Sequence, residues 1–415
     1  MKILAIETSC DETAVCILET NGDLETPRIK ILGNALQSQI ELHQPYGGVY
    51  PSLAKREHAK NLVPLTIETL KQAEMLKRYS EPLALSEQFV SDIKKIFSHE
   101  PLLGESFLDL VANYCPPNEL DALAVTVGPG LEPALWTGIN LAKALSKHWK
   151  LPVFPVDHMA GHLASVWLPQ TEESSTTNSS ATADNQFSDK LKWPAVALLV
   201  SGGHTELVLV NNWSDIHIIG QTRDDAAGEA FDKVARLLEL PYPGGPEISK
   251  LAQKARDNDI TFTQEFSSYN ISPLPRPMLN SGDRNFSFSG LKTAVLYRLN
   301  HLDRQLTDRQ KQAMAREFED AVIEVLTTKT RAAAEEFAAH SLIAAGGVIA
   351  NGLLRKSLQD VSTELECPLL LPQLELSTDN AVMIGIAAFL NKLTGQEPVS
   401  ASKLTAQTNI SFPPL

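Results

Sequence analysis

The chain has 415 residues, of which 43% are hydrophobic and 21% are charged, so it holds enough apolar material for one large domain or for two lobes with separate cores. Its net charge of −14 excludes a surface that is basic everywhere, so a nucleic-acid partner would need a local basic patch or a helper subunit. Because the four cysteines lack any C-x-x-C pair and no apolar run reaches about 18 residues, we expect a reduced, cytoplasmic protein without a disulfide framework, a thiolate zinc site or a membrane span.

Two segments repeat one pattern: a buried strand, a polar turn of small residues and a second strand. The first is residues 2–18, with its turn at 7–13, and the second is residues 195–210, with its turn at 201–206. A glycine turn at 346–347 follows a further apolar strand and precedes a helical pattern. The repetition predicts a duplicated α/β protein of two lobes with a central cleft. Ligands of such proteins collect at turns after strand ends, where backbone N–H groups are free.

The domain boundaries follow from this repetition. The first lobe is predicted at 1–167 and contains an insertion at about 74–117, whose apolar spacing is helical but interrupted by prolines. Residues 168–190 are rich in Ser, Thr and Asn and predict a mobile loop. The second lobe is predicted at 191–375, and a C-terminal segment at 376–415.

The pattern most indicative of chemistry is the pair His158 and His162. Histidines four residues apart lie on one helix face and can bind one metal ion, although the spacing also arises in ordinary surface or core helices. Met159 stands where the zinc-protease pattern H-E-x-x-H has its general-base glutamate, which argues against a metalloprotease. Asp379, at the predicted start of an apolar helix, is a candidate third ligand. The alternative is that Ser377, Thr378 or Asp379 only caps that helix.

Three stretches could hold a nucleotide. The turn at 201–203 brings backbone donors close to an anion, but a tight hairpin requires the same glycines. Asp232 could accept protons from ribose hydroxyls, or lie on an exposed amphipathic helix. Asn351 could bond a ribose or a base, or cap the following helix. No Walker loop, kinase signature or G-x-S-x-G elbow occurs, so turns and a metal would hold the phosphates.

Two clusters of basic side chains could dock phosphates, although such clusters are more often solvated faces. They consist of Lys55, Arg56, His58 and Lys60, and of Lys143, Lys147 and Lys150.

The ordered motifs closely resemble those of the TsaD-type tRNA N6-adenosine threonylcarbamoyltransferases, a universal family formerly labelled O-sialoglycoprotein endopeptidases. The resemblance covers nearly the whole chain outside the two predicted insertions. The matching stretches are residues 6–13, 46–49, 128–131, 158–162, 199–205, 225–233, 242–245, 286–293, 345–348 with Asn351, and 378–380. Two departures are Asp157, where many bacterial members have a histidine, and Trp136, where relatives usually have a smaller aliphatic residue.

The resemblance implies an α/β actin-like ATPase (ASKHA) fold, which agrees with the predicted duplication. It implies that His158, His162 and Asp379 bind one divalent metal ion, usually Fe2+ and sometimes Zn2+. It also implies that eight residues contact the adenylate substrate: Leu199, Val200, Ser201, Gly202, Gly203, Asp232, Gly245 and Asn351.

The implied reaction transfers the threonylcarbamoyl group from threonylcarbamoyl-AMP to N6 of adenosine 37 in tRNAs that read codons beginning with A. We expect positioning and charge stabilisation to supply most of its acceleration. Asp11 is the candidate general base, with positioning of substrate or water as its alternative role. The implied partners are tRNA, a TsaB-like non-catalytic paralogue and a TsaE-like P-loop ATPase. An actin-fold sugar kinase would have no use for the histidine pair, and a scaffolding paralogue would be expected to lack metal ligands.

Overall fold

The computed structural model describes residues 1–168, 191–302 and 305–415, so the loop predicted at 168–190 lies, apart from Leu168, outside the described residues. The chain folds into two compact units. The first comprises Met1–Leu42, the described part of Val49–Ser188, and Asp379–Ser411. The second comprises His43–Gly48, the described part of Asp189–Thr378, and Phe412–Leu415. Asp379 therefore belongs to the same unit as the histidine pair.

A five-stranded mixed sheet lies at the centre of the first unit. Its strands are β1 (Lys2–Glu7), β2 (Glu12–Asn21), β3 (Arg28–Ser38), β4 (Ala122–Gly128) and β5 (Val153–Asp157), in the order β3-β2-β1-β4-β5. The central strand β1 pairs antiparallel with β2, so that Glu7 lies opposite Ala14, and parallel with β4. The apolar residues of β1 and β4 are buried, as expected for strands covered on both faces by other elements.

The second unit contains a sheet of the same topology. Its strands are β6 (Ala195–Val200), β7 (Thr205–Asn212), β8 (Asp215–Gln221), β9 (Ser341–Ala345) and β10 (Leu369–Leu370). They lie in the order β8-β7-β6-β9-β10, with antiparallel pairs on one side of β6 and parallel pairs on the other. Both predicted hairpins are thereby confirmed, and the repeated topology is that of the predicted actin-like ATPase fold class.

Helices cover these sheets. In chain order they are α1 (Ile40–His43), α2 (Pro51–Gln72), α3 (Glu87–Ile96), α4 (Pro101–Asn113), α5 (Glu132–Trp149), α6 (His158–Ala164), α7 (Ala227–Leu237), α8 (Gly244–Asp257), α9 (Phe262–Phe266), α10 (Ser289–Leu302), α11 (Asp308–Glu336), α12 (Gly352–Glu364) and α13 (Ala381–Leu393). Within the described parts of the chain, none of the helices is both long and apolar enough to cross a membrane.

The predicted insertion at 74–117 contains α3 and α4, which pack into the first unit. Ile93, Phe97, Leu103 and Phe107 are buried in the core that also contains residues of β1, β2 and β4. The rings of Phe97 and Phe107 contact each other, with centroids 5.7 Å apart. Burial of several large apolar side chains makes these helices an integral part of this core rather than an appendage.

Candidate functional site

Helix α6 begins directly after β5 and presents His158 and His162 on one face. Asp157 starts the helix, since its side chain accepts hydrogen bonds from the backbone N–H of Met159 (2.7 Å) and of Ala160 (3.0 Å). Burial raises the pKa of Asp157 to about 6, although these two hydrogen bonds act to lower it. The spacing of four residues brings the two imidazole rings together, with centroids 4.6 Å apart and planes at 79°.

Close packing of α13 against α6 brings Asp379 close to the pair His158 and His162. A Cβ atom on Gly161 would lie only 2.9 Å from Cδ1 of Ile384, so glycine lets the two helices approach without displacing that side chain. The cap of α13 is Asn380, whose side chain accepts a hydrogen bond from the backbone N–H of Met383 at 2.9 Å. The carboxylate of Asp379, one residue earlier, is therefore not the cap that the alternative interpretation expected.

The three side chains converge. Oδ1 of Asp379 lies 3.3 Å from Nε2 of His158 and 3.2 Å from Nε2 of His162. One nitrogen or oxygen from each residue lies within 4.8 Å of the others. Within the described residues, Nδ1 of the buried His162 has no hydrogen-bond partner, and Nε2 of the same ring faces the carboxylate of Asp379. A buried ring nitrogen without a partner is costly, and two imidazoles plus one carboxylate are a donor set suited to Fe2+ or Zn2+. The residues therefore fit one divalent metal ion.

Glu7, at the end of β1, is a fully buried carboxylate that contacts the trio formed by His158, His162 and Asp379. Its Oε2 lies 3.2 Å from Nδ1 of His158 and also accepts a hydrogen bond from Oγ1 of Thr126, while its Oε1 accepts one from the backbone N–H of Ser9. Holding Nδ1 of His158 directs Nε2 of the same ring toward Asp379, as outer carboxylates do in histidine metal sites. Glu7 was not assigned from the sequence, although an acidic residue that ends a buried apolar strand is a usable signal.

The charges of the trio are coupled. Burial opposes protonation of His158, but Asp379 and Glu7 together raise the pKa of His158 well above its ordinary value. Burial would raise the pKa of Asp379, yet the neighbouring His158 holds it well below its usual range. Burial lowers the pKa of His162. A proton on His158 and a bound metal ion would therefore compete for the same negative charge.

Asp11 lies in the buried turn between β1 and β2. Burial raises the pKa of the adjacent Glu12 well above its ordinary value, and the charges of Asp11 and Asp379 raise it further. The predicted base and the third residue of the trio thus belong to one group of acidic side chains in the first unit. In such a group one carboxyl keeps its proton, because like charges in a buried site disfavour full ionisation.

A cavity of about 370 Å3 lies in the second unit. Four of the predicted substrate-binding residues line it, namely Gly202, Asp232, Gly245 and Asn351. The first residues of α8 and α12 also lie in its wall, so two helix N-termini adjoin the cavity. Free N–H groups at helix starts favour polar or anionic ligands. The other four predicted residues, Leu199, Val200, Ser201 and Gly203, are not among those that line it.

The turn after β6 is a tight hairpin. The backbone N–H of Ser201 donates to the carbonyl of His204 at 2.9 Å, and Oγ of Ser201 accepts from the backbone N–H of His204 at 3.2 Å. Leu199 and Val200 are fully buried in β6. The residues of this turn therefore form the tight hairpin that was predicted as their alternative role. Among them, only Gly202 lines the cavity.

Asp232 and Asn351 combine a place in the cavity wall with structural hydrogen bonds. Oδ1 of Asp232 accepts from the backbone N–H of Gly244 at 2.7 Å and so fixes the start of α8. Asn351 caps α12 through its Oδ1, while its Nδ2 donates to Oγ of Ser249 (2.8 Å) and to Oε1 of Glu319 (2.7 Å). Sequence analysis missed Ser249 and Glu319, because nothing local links positions so far apart in the chain.

Part of each predicted basic cluster is engaged in contacts within the fold. Lys55 pairs with Glu100 at 2.8 Å, and His58 has no exposed surface. Lys147 pairs with Asp92 at 2.8 Å, and Nζ of Lys143 lies 4.8 Å from the centre of the Trp136 ring. Arg56 and Lys60, however, keep 70% and 71% of their side-chain area exposed, so phosphate docking at these clusters stays a prediction.

Comparison with known proteins places these features in a family. A family model described as "TsaD: tRNA N6-adenosine threonylcarbamoyltransferase" matches residues 30–86 and 110–386. A protein of Thermosipho africanus named tRNA N6-adenosine threonylcarbamoyltransferase is 38% identical over 412 residues, which is 99% of this chain and 100% of that relative. A protein of the same name from Nitrosospira multiformis is 40% identical over 96% of this chain and 94% of the relative. Among solved structures, full-length HypF in its phosphate- and nucleotide-bound form superposes with a TM-score of 0.48 at 11% identity, covering 95% of this chain and 47% of that one.

Proposed function

The chain belongs to the TsaD family of tRNA N6-adenosine threonylcarbamoyltransferases, and from this membership we propose the reaction that it catalyses. It transfers the threonylcarbamoyl group from threonylcarbamoyl-AMP to N6 of adenosine 37 in tRNAs that read codons beginning with A, and it releases AMP. The observation that carries the proposal is the convergence of His158, His162 and Asp379 in the first unit. A sugar kinase or a non-catalytic paralogue would have no use for this trio.

In this proposal His158, His162 and Asp379 hold one Fe2+ ion, with Zn2+ as the alternative. Imidazole nitrogens and a carboxylate oxygen suit both ions, so the donor set supports a divalent transition metal without choosing between them. When bound, the ion supplies positive charge that stabilises the negative charge on the departing phosphate. Glu7 keeps the ring of His158 in the orientation that the ion requires.

The AMP part of the substrate would occupy the cavity of the second unit. Glycines at 202 and 245 leave open space where a side chain would stand, since a Cβ atom at either position meets no atom within 4 Å. A ligand can therefore lie against the backbone there. The starts of α8 and α12 offer N–H donors, and Asp232 and Asn351 offer side-chain contacts to the ribose or base.

In the proposed chemical step one bond to the carbamoyl carbon forms and one breaks. The nitrogen N6 attacks the carbamoyl carbon, a C–N bond forms, the bond from that carbon to the phosphate oxygen breaks, and AMP leaves. N6 must also lose a proton, and we assign its acceptance to Asp11. The place of Asp11 in the turn after β1, in the same unit as the trio, supports this assignment.

The proposed partners are tRNA, a TsaB-like paralogue and a TsaE-like P-loop ATPase, working in the cytoplasm. The net charge of −14 supports a need for helper subunits, since tRNA binding requires positive charge.

In the test, the purified metal-loaded protein is incubated with both partners, threonylcarbamoyl-AMP and unmodified tRNA. Nucleoside analysis by mass spectrometry should find threonylcarbamoylated adenosine, and mapping should place it at position 37. A parallel reaction with threonine, bicarbonate, ATP and the adenylate-forming enzyme tests the complete route. Absence of the modified nucleoside from both reactions, with metal bound, would reject the proposed function.

A further inference from the structure

His58 lies on α2 with no exposed surface and contacts the turn that carries Asp11. Its Nε2 lies 3.0 Å from the backbone carbonyl oxygen of Cys10. On the other side of the ring, Nδ1 lies 2.8 Å from Oγ1 of Thr13 and 3.2 Å from Nε2 of Gln39. Thr13 and Gln39 are also buried, so the imidazole is the centre of a buried polar cluster.

The neighbours of the ring fix the position of its proton. The carbonyl oxygen of Cys10 can only accept, so Nε2 of His58 carries a proton, and in the neutral ring Nδ1 then carries none. Nδ1 of His58 therefore accepts a hydrogen bond. The neutral ring then carries its proton on Nε2 and donates it to the carbonyl of Cys10.

The turn is thus held at two consecutive backbone carbonyl groups. His58 holds the carbonyl of Cys10, and the backbone N–H of Gln39 donates to the carbonyl of Asp11 at 3.0 Å. With these two carbonyls fixed, the backbone torsions that direct the side chain of Asp11 have little freedom. Small displacements of a reacting group are costly, since a shift of about 1 Å can reduce the rate about 100-fold.

We propose that His58 is a positioning residue, which fixes the turn through its Nε2–H and thereby aims the carboxylate of Asp11. The inference rests on the proposed role of Asp11 in the transfer reaction. His58 itself touches neither substrate nor metal in this scheme.

The test compares His58→Gln with His58→Asn and His58→Leu. A glutamine places its amide nitrogen near the position of Nε2 and can still donate to Cys10, whereas asparagine is too short and leucine has no donor. We expect kcat to fall about 10- to 100-fold in the Asn and Leu variants and to stay within about 5-fold of wild type in the Gln variant. KM, metal content and Tm of the Gln and Asn variants should match one another. His148→Leu, a part-buried histidine of α5, serves as the control and should keep the wild-type kcat.

A spectroscopic readout separates positioning from mere packing. Nitrogen NMR of the wild-type protein should report the His58 ring as the neutral form protonated at Nε2. Equal kcat in the Gln and Asn variants, or a ring protonated at Nδ1, would overturn the proposal. If the Leu variant does not fold, the Gln and Asn pair decides alone. If the wild-type protein catalyses no transfer, the proposed function itself is refuted. Full activity of Asp11→Asn would refute the role of Asp11.

Discussion

The turns after the first strand of each sheet hold the same place in the topology but carry different chemistry. In the first unit β1 ends with Glu7, the turn carries Asp11 and β2 begins with Glu12, and these three acidic side chains are buried or nearly so and lie close to further charged groups. After β6 the corresponding turn begins with Ser201 and Gly202 and has no acidic side chain before Glu206. Buried carboxylates require a compensating cation, whereas glycines beside helix starts suit a polar or anionic ligand. The duplicated fold therefore repeats the position of the turn, whereas the residues of each turn differ and suit different ligands.

The two regions are also assembled differently. The trio of the first unit depends on close packing of α13 on α6 at Gly161, so its third member comes from a distant part of the chain. The cavity of the second unit is built from the starts of α8 and α12, held by hydrogen bonds of Asp232 and Asn351. Variants of the trio should consequently act first on metal binding, and variants of the cavity wall should act first on AMP binding, which the following experiments test.

The largest effect is expected from Asp379→Ala. Removal of the only carboxylate in the trio should abolish stoichiometric metal binding and reduce transfer about 1,000-fold or more, because several kcal/mol of charge stabilisation are lost. Metal content by plasma emission spectrometry and AMP affinity by calorimetry should be measured together. Asp215→Ala, which removes a surface carboxylate of the second unit, is the control. A variant that keeps one metal ion per chain would show that the trio is not the site.

Asp11→Asn should reduce transfer about 100-fold or more and leave metal content unchanged, as expected for loss of a general base. Single-turnover kinetics with threonylcarbamoyl-AMP measure the chemical step, and metal analysis of the same sample checks the site. Loss of the metal in this variant would instead make Asp11 a ligand or a structural residue, and the acidic turn would then serve the cation alone.

Glu7→Gln should weaken metal binding about 10- to 100-fold, because a neutral amide holds Nδ1 of His158 less strongly than a carboxylate does. Competition with a chromophoric chelator gives the Kd directly and does not depend on activity. The surface variant Glu119→Gln, which loses only an ion pair with Lys77, is the matched control. Unchanged affinity in Glu7→Gln would confine the role of this carboxylate to folding.

The smallest effect is expected from Gly202→Ala in the second unit. The added methyl group meets no protein atom within 4 Å, so stability should change by no more than about 0.5 kcal/mol. It enters the cavity, however, and should weaken AMP binding about 10-fold, which corresponds to about 1.4 kcal/mol. Gly290→Ala, equally free of contacts but outside the cavity wall, should bind AMP normally. Equal affinity of both variants would place the nucleotide elsewhere.

Patterns local in sequence allowed the fold and part of the site to be predicted. Alternating turns and apolar strands identified both hairpins, because strand burial and turn residues act over a few positions. The spacing of four residues placed His158 and His162 on one face for the same reason. The convergence of Asp379 on this pair was expected from family resemblance, since no local pattern links the two segments.

Contacts between distant segments escaped prediction. Glu7 and His158 are 151 positions apart, and Asn351 and Ser249 are 102 apart, so no periodicity relates them. His58 was grouped with neighbouring lysines as a basic surface cluster, yet it is buried, because an imidazole can satisfy its two nitrogens inside a protein whereas a lysine rarely can. Charge patterns identify side-chain types, but only packing decides which of them face water.

The first unit is interrupted by the second: its chain leaves after β5 and α6 and returns only at Asp379, where α13 completes the core. During synthesis on the ribosome, both histidines therefore emerge long before the aspartate that completes their donor set. If the trio holds a metal ion as proposed, an ion arriving at this stage would meet only two of its three donors. The order of the segments along the chain would then make metal loading a late event, coupled to the docking of α13.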